Sequence, residues 1–296
     1  MTMYFGLSEE QEFFQETISR FLEGESTIDA IRNFAHGNNS DFPESVHSGL
    51  LELGINGLII PEEYGGLEQD LLSAAAVSET LGAGVAISPF IGSYVMAPYA
   101  IIKAGSETQR DKYLKGIIEG SVRFGVGLTE FVASREGAKI TIESRKANGR
   151  ALFVFDANNA THFLLSDSSG QLFIIDAKAK GLDIIELTTV DKTSSFVELI
   201  IKDVEIDRLV NQSNHQDFTQ RVVDLGRLLI AADSLGASQV MINKSVSYSK
   251  ERKQFGRVIG SFQAVKHMCA EMTANIEPCY SLIWYTAHCM DHIPEE

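Results

Sequence analysis

Basic residues are scarce in this chain. Its 25 lysines and arginines face 40 aspartates and glutamates, a net charge of −15 over 296 residues. That balance argues against nucleic acid as a partner, because phosphate attraction supplies most of such binding. Any anionic cofactor must instead be met by a local cluster of cations. Cysteine is scarce too: Cys269, Cys279 and Cys289 lie ten residues apart. This is neither a zinc spacing nor an even disulfide set, so free thiols in a reducing cytoplasm are expected. No apolar run approaches the roughly 20 residues of a bilayer helix, so no membrane partner is expected. The start, MTMYFGLSEEQEFF, lacks a basic region followed by an apolar stretch, so no secretory signal is read there. His162, His267 and His288 lack the spacing and the carboxylate neighbours of a ligand set, and no metal is expected.

What is present is a chain that is 44% apolar and long enough for two or three domains. Residues 1–120 read as helical. Ser8 with Gln11, and Ser106 with Gln109, form S-x-x-Q capping boxes. Phe13, Phe14, Ile18, Phe21 and Leu22 follow the first box at helical spacing. A second helix runs from Pro43 to Gly54, in the expected Pro-start and Gly-stop order, and further helices cover Leu71–Leu81 and Gly92–Ala104. Residues 121–208 change period. Segments such as RALFVF, HFLLSD, QLFIID and SFVELIIKDVEI are short, β-branched or aromatic, and separated by Gly, Asn, Asp and Ser. They predict an antiparallel β-domain. Residues 209–296 return to helical spacing, with Leu225, Leu228, Leu229, Ala232 and Leu235 on one face. Helices, then strands, then helices argue for an α+β chain rather than a doubly wound sheet.

The densest signal is YSKERKQFGRVIGSFQAVKHMCAEM, residues 248–272. Arg252, Lys253 and Gln254 precede a Phe255-Gly256 turn, and Phe262-Gln263 opens the next helix. A guanidinium is permanently charged and can bond two phosphate oxygens at once. The segment resembles the C-terminal signature of the acyl-CoA dehydrogenase family, a resemblance that implies a buried start for that helix. Other stretches match the same family in order: GLIIPEEYGGLEQDLLSAAAVSETLG, AGSETQRDKYLKGIIEG, GVGLTE and GLDIIELTTVDKTSSFVELIIKDVEI. The resemblance spans nearly the whole chain. It implies an N-terminal helical domain, a middle β-domain and a C-terminal helical bundle. It implies that Arg252, Gln254 and Phe255, with Gln263, reach the pyrophosphate and adenine side of an FAD held by a neighbouring subunit. It also assigns Thr129 to the flavin, and Asp224 with Arg227 to the acyl-CoA substrate.

Departures from the family pattern fall on the cofactor pocket and the base. The usual P-G-A-G-S-D turn reads Phe131, Val132, Ala133, Ser134, Arg135, Glu136 here, too bulky and too acidic for a pyrophosphate. The W-I-T strand reads Phe153, Val154, Phe155. A minority of the family carries the base one residue before the helix Arg, and that residue is Gly226, which supplies no carboxylate. The more usual base lies beyond HIPEE, so the chain is expected to be short at its C-terminal end. No catalytic residue is therefore assigned. Lys266, in SFQAVKH, resembles members acting on bulky, steroid-like acyl-CoAs. The resemblance implies a subunit of an FAD-dependent acyl-CoA dehydrogenase. It would sit in a homo- or hetero-oligomer of α2β2 kind, with a partner chain supplying the Glu and the main flavin pocket. A non-catalytic structural or regulatory paralogue is the alternative.

Overall fold

The computed structural model describes residues 6–38, 40–132, 137–210 and 214–293. In chain order the helices are α1 (Glu9–Glu25), α2 (Ile28–Ala35), α3 (Phe42–Glu52), α4 (Leu71–Ala83), α5 (Ala97–Ala104), α6 (Glu107–Ile118), α7 (Thr129–Val132), α8 (His215–Glu251) and α9 (Gln263–His292). The strands are β1 (Phe124–Gly127), β2 (Lys139–Glu143), β3 (Lys146–Phe155), β4 (His162–Ser166), β5 (Leu172–Asp176), β6 (Leu182–Glu186), β7 (Phe196–Glu205), β8 (Asp207–Arg208), β9 (Lys253–Gln254) and β10 (Arg257–Val258). Contacts gather the chain into two compact units. One comprises Met1–Thr27, Leu71–Ala86 and Leu228–Glu296, the other Ile28–Asp70 and Ile87–Arg227.

In the first unit, α1 opens with the expected capping box. Gln11 N donates to Ser8 Oγ at 3.2 Å, and Ser8 N donates to Gln11 Oε1 at 2.8 Å. Ile18 and Leu22 are buried, while Phe13 of the same predicted face is exposed. The Ala-rich α4 is buried on almost every side. Its first turn would leave an N–H without a partner, and Asp291 of α9 accepts Leu71 N at 2.7 Å. α4 meets α8 backbone to backbone. A Cβ on Gly82 would lie 2.0 Å from Asp233 O, and one on Gly236 would lie 1.9 Å from Glu79 O. Ser78 Oγ donates to Leu229 O at 2.8 Å alongside. Only a residue without a side chain permits this approach at both points.

α8 buries the face read from the sequence: Leu225, Leu228, Leu229, Ala232 and Leu235. One window of this helix, of mean hydropathy 1.2, is long and apolar enough to cross a bilayer by composition. The expectation of no such stretch is thereby corrected, by length and composition only, and 44% of that window is buried within the fold. On α9, Leu282 and Tyr285 are exposed, and Trp284 and Met290 half-buried.

In the second unit, Pro43 sits in the first turn of α3, and Gly54 follows with φ +82°. The second capping box, Ser106 with Gln109, starts α6. Gln109 then spends its amide on Asp207 Oδ1 (2.5 Å) and Arg208 O (2.7 Å), and Tyr113 donates to Asp207 Oδ2 at 2.9 Å. These bonds pin α6 to the end of the sheet. Strand order is β6-β7-β3-β1-β4-β5-β8, with β2 beside β3. The pairs are antiparallel except β1 with β4, which run parallel from Phe124↔His162 to Gly127↔Leu165. The β2–β3 hairpin lies between them in sequence and supplies the long crossover a parallel pair requires. Val154, Phe163, Leu165, Phe173, Val197 and Leu199 form the sheet's core.

The predicted helix Gly92–Ala104 is instead two geometries in succession. Phe90–Met96 is π-helical and α5 follows directly. Pro98 explains the change. It has no N–H to give to the carbonyl four residues back, so the preceding turn is free to widen.

The glycine contact between α4 and α8 generates the first test. Overpacking of this kind costs about 1–3 kcal/mol, and each kcal/mol lowers Tm by about 2–4 °C at this size. Gly236→Ala is expected to lower the melting temperature of the chain by several degrees in a calorimetric scan. Ala231→Gly, on an exposed position of the same helix, is expected to cost only about 1 kcal/mol. Equal losses would show that the close approach is not limiting.

Candidate functional site

The basic segment singled out by the sequence is a small hairpin between two long helices. β9 and β10 pair Gln254 with Arg257 and Lys253 with Val258. Phe255 (φ +51°) and Gly256 (φ +76°) form the two-residue turn. Two positive φ values are those of a type I′ turn, whose twist suits a hairpin. Gly tolerates this and Phe does not. Phe255 is also 92% exposed, so no burial within the chain offsets the strain. Beneath it, the Arg257 guanidinium lies 4.1 Å from the Phe262 ring centroid, and Phe255 meets Phe262 edge-on at 6.2 Å.

Arg252 stands at the joint: its N–H donates to Tyr248 O, and Ile259 N donates to its carbonyl. Its side chain is exposed and makes no ion pair among the described residues. Between Lys244 and Lys266 there are six cationic residues and one acidic one, Glu251, in a chain of net charge −15. Gln263 opens α9 but is exposed, not buried as expected, and its amide lies 3.4 Å from His267 Nε2. The turn lifts Phe262, not Gln263, into contact with the hairpin, which leaves the amide outside.

Thr129 lies in the other unit, where β1 runs into α7. Its hydroxyl donates to Leu152 O at 2.7 Å. Leu152 and Phe153 form a bulge in β3, where the register against β7 shifts between Ala151 and Val154. Phe153 there has φ +52° and is exposed. Thr129 thus holds a bulge and has no proton left for a ligand. Glu130 beside it is buried, and desolvation pushes its carboxyl up. Phe131 and Val132 continue α7, while Ala133, Ser134, Arg135 and Glu136 lie outside the described residues. For an FAD, then, the exposed cations of the hairpin fit a phosphate. On the Thr129 side the hydroxyl has given its proton to Leu152 O and keeps only acceptor capacity toward a flavin, while Phe155 offers no polar side-chain group.

Asp224 and Arg227 form the expected pair, Nη1 to Oδ1 at 2.8 Å on the outside of α8. Gln220 Nε2 also donates to Asp224 Oδ1, at 2.9 Å. Gly226 between them is buried, and a Cβ on it would lie 2.7 Å from Met96 Sδ.

The π-helix that carries Met96 is held by a network that the sequence did not reveal. Asp156 Oδ2 accepts Gly92 N at 2.7 Å, and Ser93 Oγ accepts Phe124 N at 2.8 Å. Tyr94 Oη lies 2.5 Å from His47 Nε2, and Arg123 Nη2 lies 3.0 Å from His47 Nδ1. A guanidinium can only donate, so Nδ1 accepts and Nε2 carries the proton given to Tyr94. Arg123 also grips Glu44 with both terminal nitrogens, at 3.0 and 3.1 Å. The Arg123 hydrogen bond holds Glu44 down to about 2. Burial lowers His47 to about 4 and raises Tyr94 to about 12. The Glu44/His47 spacing on α3 was legible, but Arg123 lies 76 residues away from His47. Desolvation likewise pushes Asp156 up to about 7.

Comparison with known proteins follows the same lines. Residues 8–121 match the family model "Acyl-CoA dehydrogenase, N-terminal domain", and residues 217–296 match "Acyl-CoA dehydrogenase, C-terminal domain". A short-chain specific acyl-CoA dehydrogenase of Megasphaera elsdenii is 30% identical, over 80% of this chain and 69% of its own. The caffeyl-CoA reductase-Etf complex subunit CarC of Acetobacterium woodii is 27% identical, over 98% and 81%. A solved structure of the Tcur3481-Tcur3483 steroid ACAD superposes with TM-score 0.82 at 28% identity, covering 96% of this chain and 78% of that one.

Asp156 generates a pH test. Its folded pKa is raised, so its contribution to stability is fully present below the unfolded value of 3.8 and is lost as pH rises through about 7. His47 acts the other way, its contribution being lost as pH falls from 6.5 toward about 4. Asp156→Asn keeps an acceptor for Gly92 and removes the charge. Its melting temperature is expected to exceed the parent's by more at pH 8 than at pH 5. Parallel curves across that range would show that the carboxyl is not desolvated.

Proposed function

The chain belongs to the acyl-CoA dehydrogenase family, and from that premise we propose that it is a subunit working beside a second dehydrogenase chain. That partner supplies the carboxylate base and the main flavin pocket. The observation that carries this reading is the asymmetry of the two cofactor halves. The hairpin presents Arg252, Gln254 and Phe255 outward in a strained turn, while Thr129 is locked onto Leu152 O. A chain that served only its own flavin would need both halves.

Enzymes of this family are FAD-dependent oxidoreductases acting on CH–CH bonds. When bound, the flavin accepts the hydride that leaves the β-carbon of the acyl thioester. This chain's residues contribute binding. Arg252 would meet phosphate oxygens of a flavin carried by the neighbour, with Gln254 and Phe255 beside it and Gln263 at the edge. Asp224 and Arg227, paired on the exposed side of α8, would engage the CoA portion of the substrate. Gly226 offers no group to move a proton. The name of the Acetobacterium woodii relative places it in a complex with Etf, which supports a heteromeric setting; the α2β2 arrangement is part of the proposal. The steroid ACAD similarity and the exposed Lys266 support a bulky, ring-bearing acyl group.

Two outcomes test this reading. The chain purified alone is expected to be nearly colourless and to form no enoyl-CoA with an artificial electron acceptor. A full flavin spectrum or turnover in the absence of a partner would refute it. In the complex, Arg252→Ala is expected to lower flavin affinity about ten- to a hundred-fold, since a hydrogen bond to a charged group is worth about 1.5–3 kcal/mol. The melting temperature of the apo complex should stay unchanged, because an exposed Arg adds little to stability. Loss of apo stability with flavin affinity intact would make Arg252 structural.

A further inference from the structure

We propose that the exposed face shared by α8 and α9 is the interface with a second copy of this chain, the two helical hairpins closing into a twofold bundle of four helices. The proposal goes beyond the subunit reading and does not rest on it. α8 has already spent two of its faces. Gly236 brings it against α4, and the buried Ile242 faces α9. A third face stays bare. Ser234, Met241 and Tyr248 repeat on it every seven residues, with Ile230 and Ala237 four residues before the first two. α9 shows the same pattern: Met268, Asn275 and Leu282 alternate with Met272, Cys279 and Thr286. Such heptad spacing keeps side chains on one seam of a helix. Ile230, Met241, Tyr248, Met268 and Leu282 are each more than half exposed.

The polar members of this seam are prepared for burial. Ser234 Oγ donates to Ile230 O at 2.8 Å, Thr286 Oγ1 to Leu282 O at 2.8 Å and Cys279 Sγ to Asn275 O at 3.4 Å. Their protons are spent within the helix, so a dry interface strands none of them. Between the helices runs an open groove of about 420 Å³, walled by Met241, Ile242 and Ser245 on one side and Met272, Asn275 and Ile276 on the other. It fixes the level of one helix against the other, with Met241 beside the Met272–Asn275 turn. Toward the hairpin, Tyr248 lies seven residues beyond Met241, and Met268 seven before Asn275. At the far end, Ile230 lies eleven residues before Met241, and Leu282 seven after Asn275. The large apolar groups of the two helices therefore come at matching levels.

That match selects a second copy as the occupant. A twofold axis along the groove lays α8 of one copy antiparallel on α9 of the other without changing level, the arrangement of an antiparallel four-helix bundle. Tyr248 then meets the second copy's Met268, Met241 its Met272, and Ile230 approaches its Leu282. Charge follows the same rule. Helical periodicity puts Lys244 on the flank of α8 away from α9, and Glu271 on the flank of α9 away from α8. Both are exposed, and neither makes an ion pair among the described residues. The axis sets each Lys244 against the second copy's Glu271, and like charges do not meet. An isologous interface must be self-complementary in this way. A helix of one charge sign from an unrelated chain would suit one flank and clash with the other.

Sedimentation of the full chain purified alone, at micromolar concentrations, is the test. The parent is expected to be a dimer. Met241→Glu places two carboxylates in the seam and is expected to weaken pairing by more than about tenfold. Its circular dichroism should match the parent's, since position 241 faces solvent in the single chain. Lys244→Glu sets like charges together at two symmetric points and is expected to weaken pairing about fivefold or more. Adding Glu271→Lys to it should restore the parent's affinity. A monomeric parent overturns the proposal, including one whose groove closes only on a different protein. Open-ended aggregation overturns it too, as does a Met241→Glu chain that still dimerises. Failure of the paired reversal to restore what the single one loses removes the twofold arrangement. The subunit reading is decided separately, by flavin content and turnover.

Discussion

The second unit depends on how one awkward helix is satisfied. A π-helix has poorer hydrogen-bond geometry than an α-helix and survives where its surroundings hold it. Here Phe90–Met96 is held by side chains brought from far along the chain. Asp156 takes the N–H of Gly92 across 64 residues, and His47 meets Tyr94 across 47. A Cβ on Gly92 would lie 2.8 Å from Asp156 Oδ2 and 3.1 Å from Phe155 Cε2, so the loop after β3 packs flat on the helix backbone. The His47 bond ends a chain that reaches the surface through Arg123 and Glu44. With these polar groups tied together, a costly element becomes a fixed platform. The position of Met96 over Gly226 follows from it.

The same network explains why stability in this unit is balanced against pH from two sides. Burial favours neutral His47 and neutral Asp156. The first is penalised as pH falls and the second as pH rises. Glu44 escapes this conflict because Arg123 accompanies it, and its carboxyl is held down rather than pushed up. Proximity to a permanent cation outweighs partial desolvation there, while Asp156 has only a backbone N–H to oppose its burial.

Much of the fold was legible because its signals are local. Both capping boxes, the Gly54 stop, the buried stripe of α8 and strands such as HFLLS and LFIID depend on residues within a few positions of one another. The short strand β2, KITIE, was missed because only Ile140 and Ile142 mark it among charged neighbours. The π-helix was read as ordinary helix, since periodicity does not separate the two over seven residues. Of the site, the basic hairpin was legible as a run. The exposure of Gln263 was not, because it depends on which of two adjacent side chains turns toward Arg257. Asp156 and Met96 carried no signal at all, their partners being 64 and 130 residues away.

Thr129 and Arg252 are accounted for differently within the fold. Both belong to the pattern that the sequence shares with its family. Thr129 has a complete internal account: its proton is given to Leu152 O, and the bulge it holds turns Phe153 outward. Nothing outside the chain is needed to explain its presence. Arg252 has no such account. It is exposed beside a turn in which a phenylalanine is held at positive φ with 92% of its surface in solvent. Strain of this kind costs about 1–3 kcal/mol and persists where something over-determines it. The type I′ geometry and the Arg257–Phe262 stack shape the hairpin, but a glycine or asparagine in place of Phe255 would shape it with less strain. Within the chain the ring has only its edge contact with Phe262, and the guanidinium three residues before it makes no ion pair among the described residues. A cationic side chain and a bare aromatic face on one rigid loop match a ligand that joins phosphate to a planar ring. That conjunction, rather than the motif as a string of letters, is what supports the proposed role of this surface toward a cofactor.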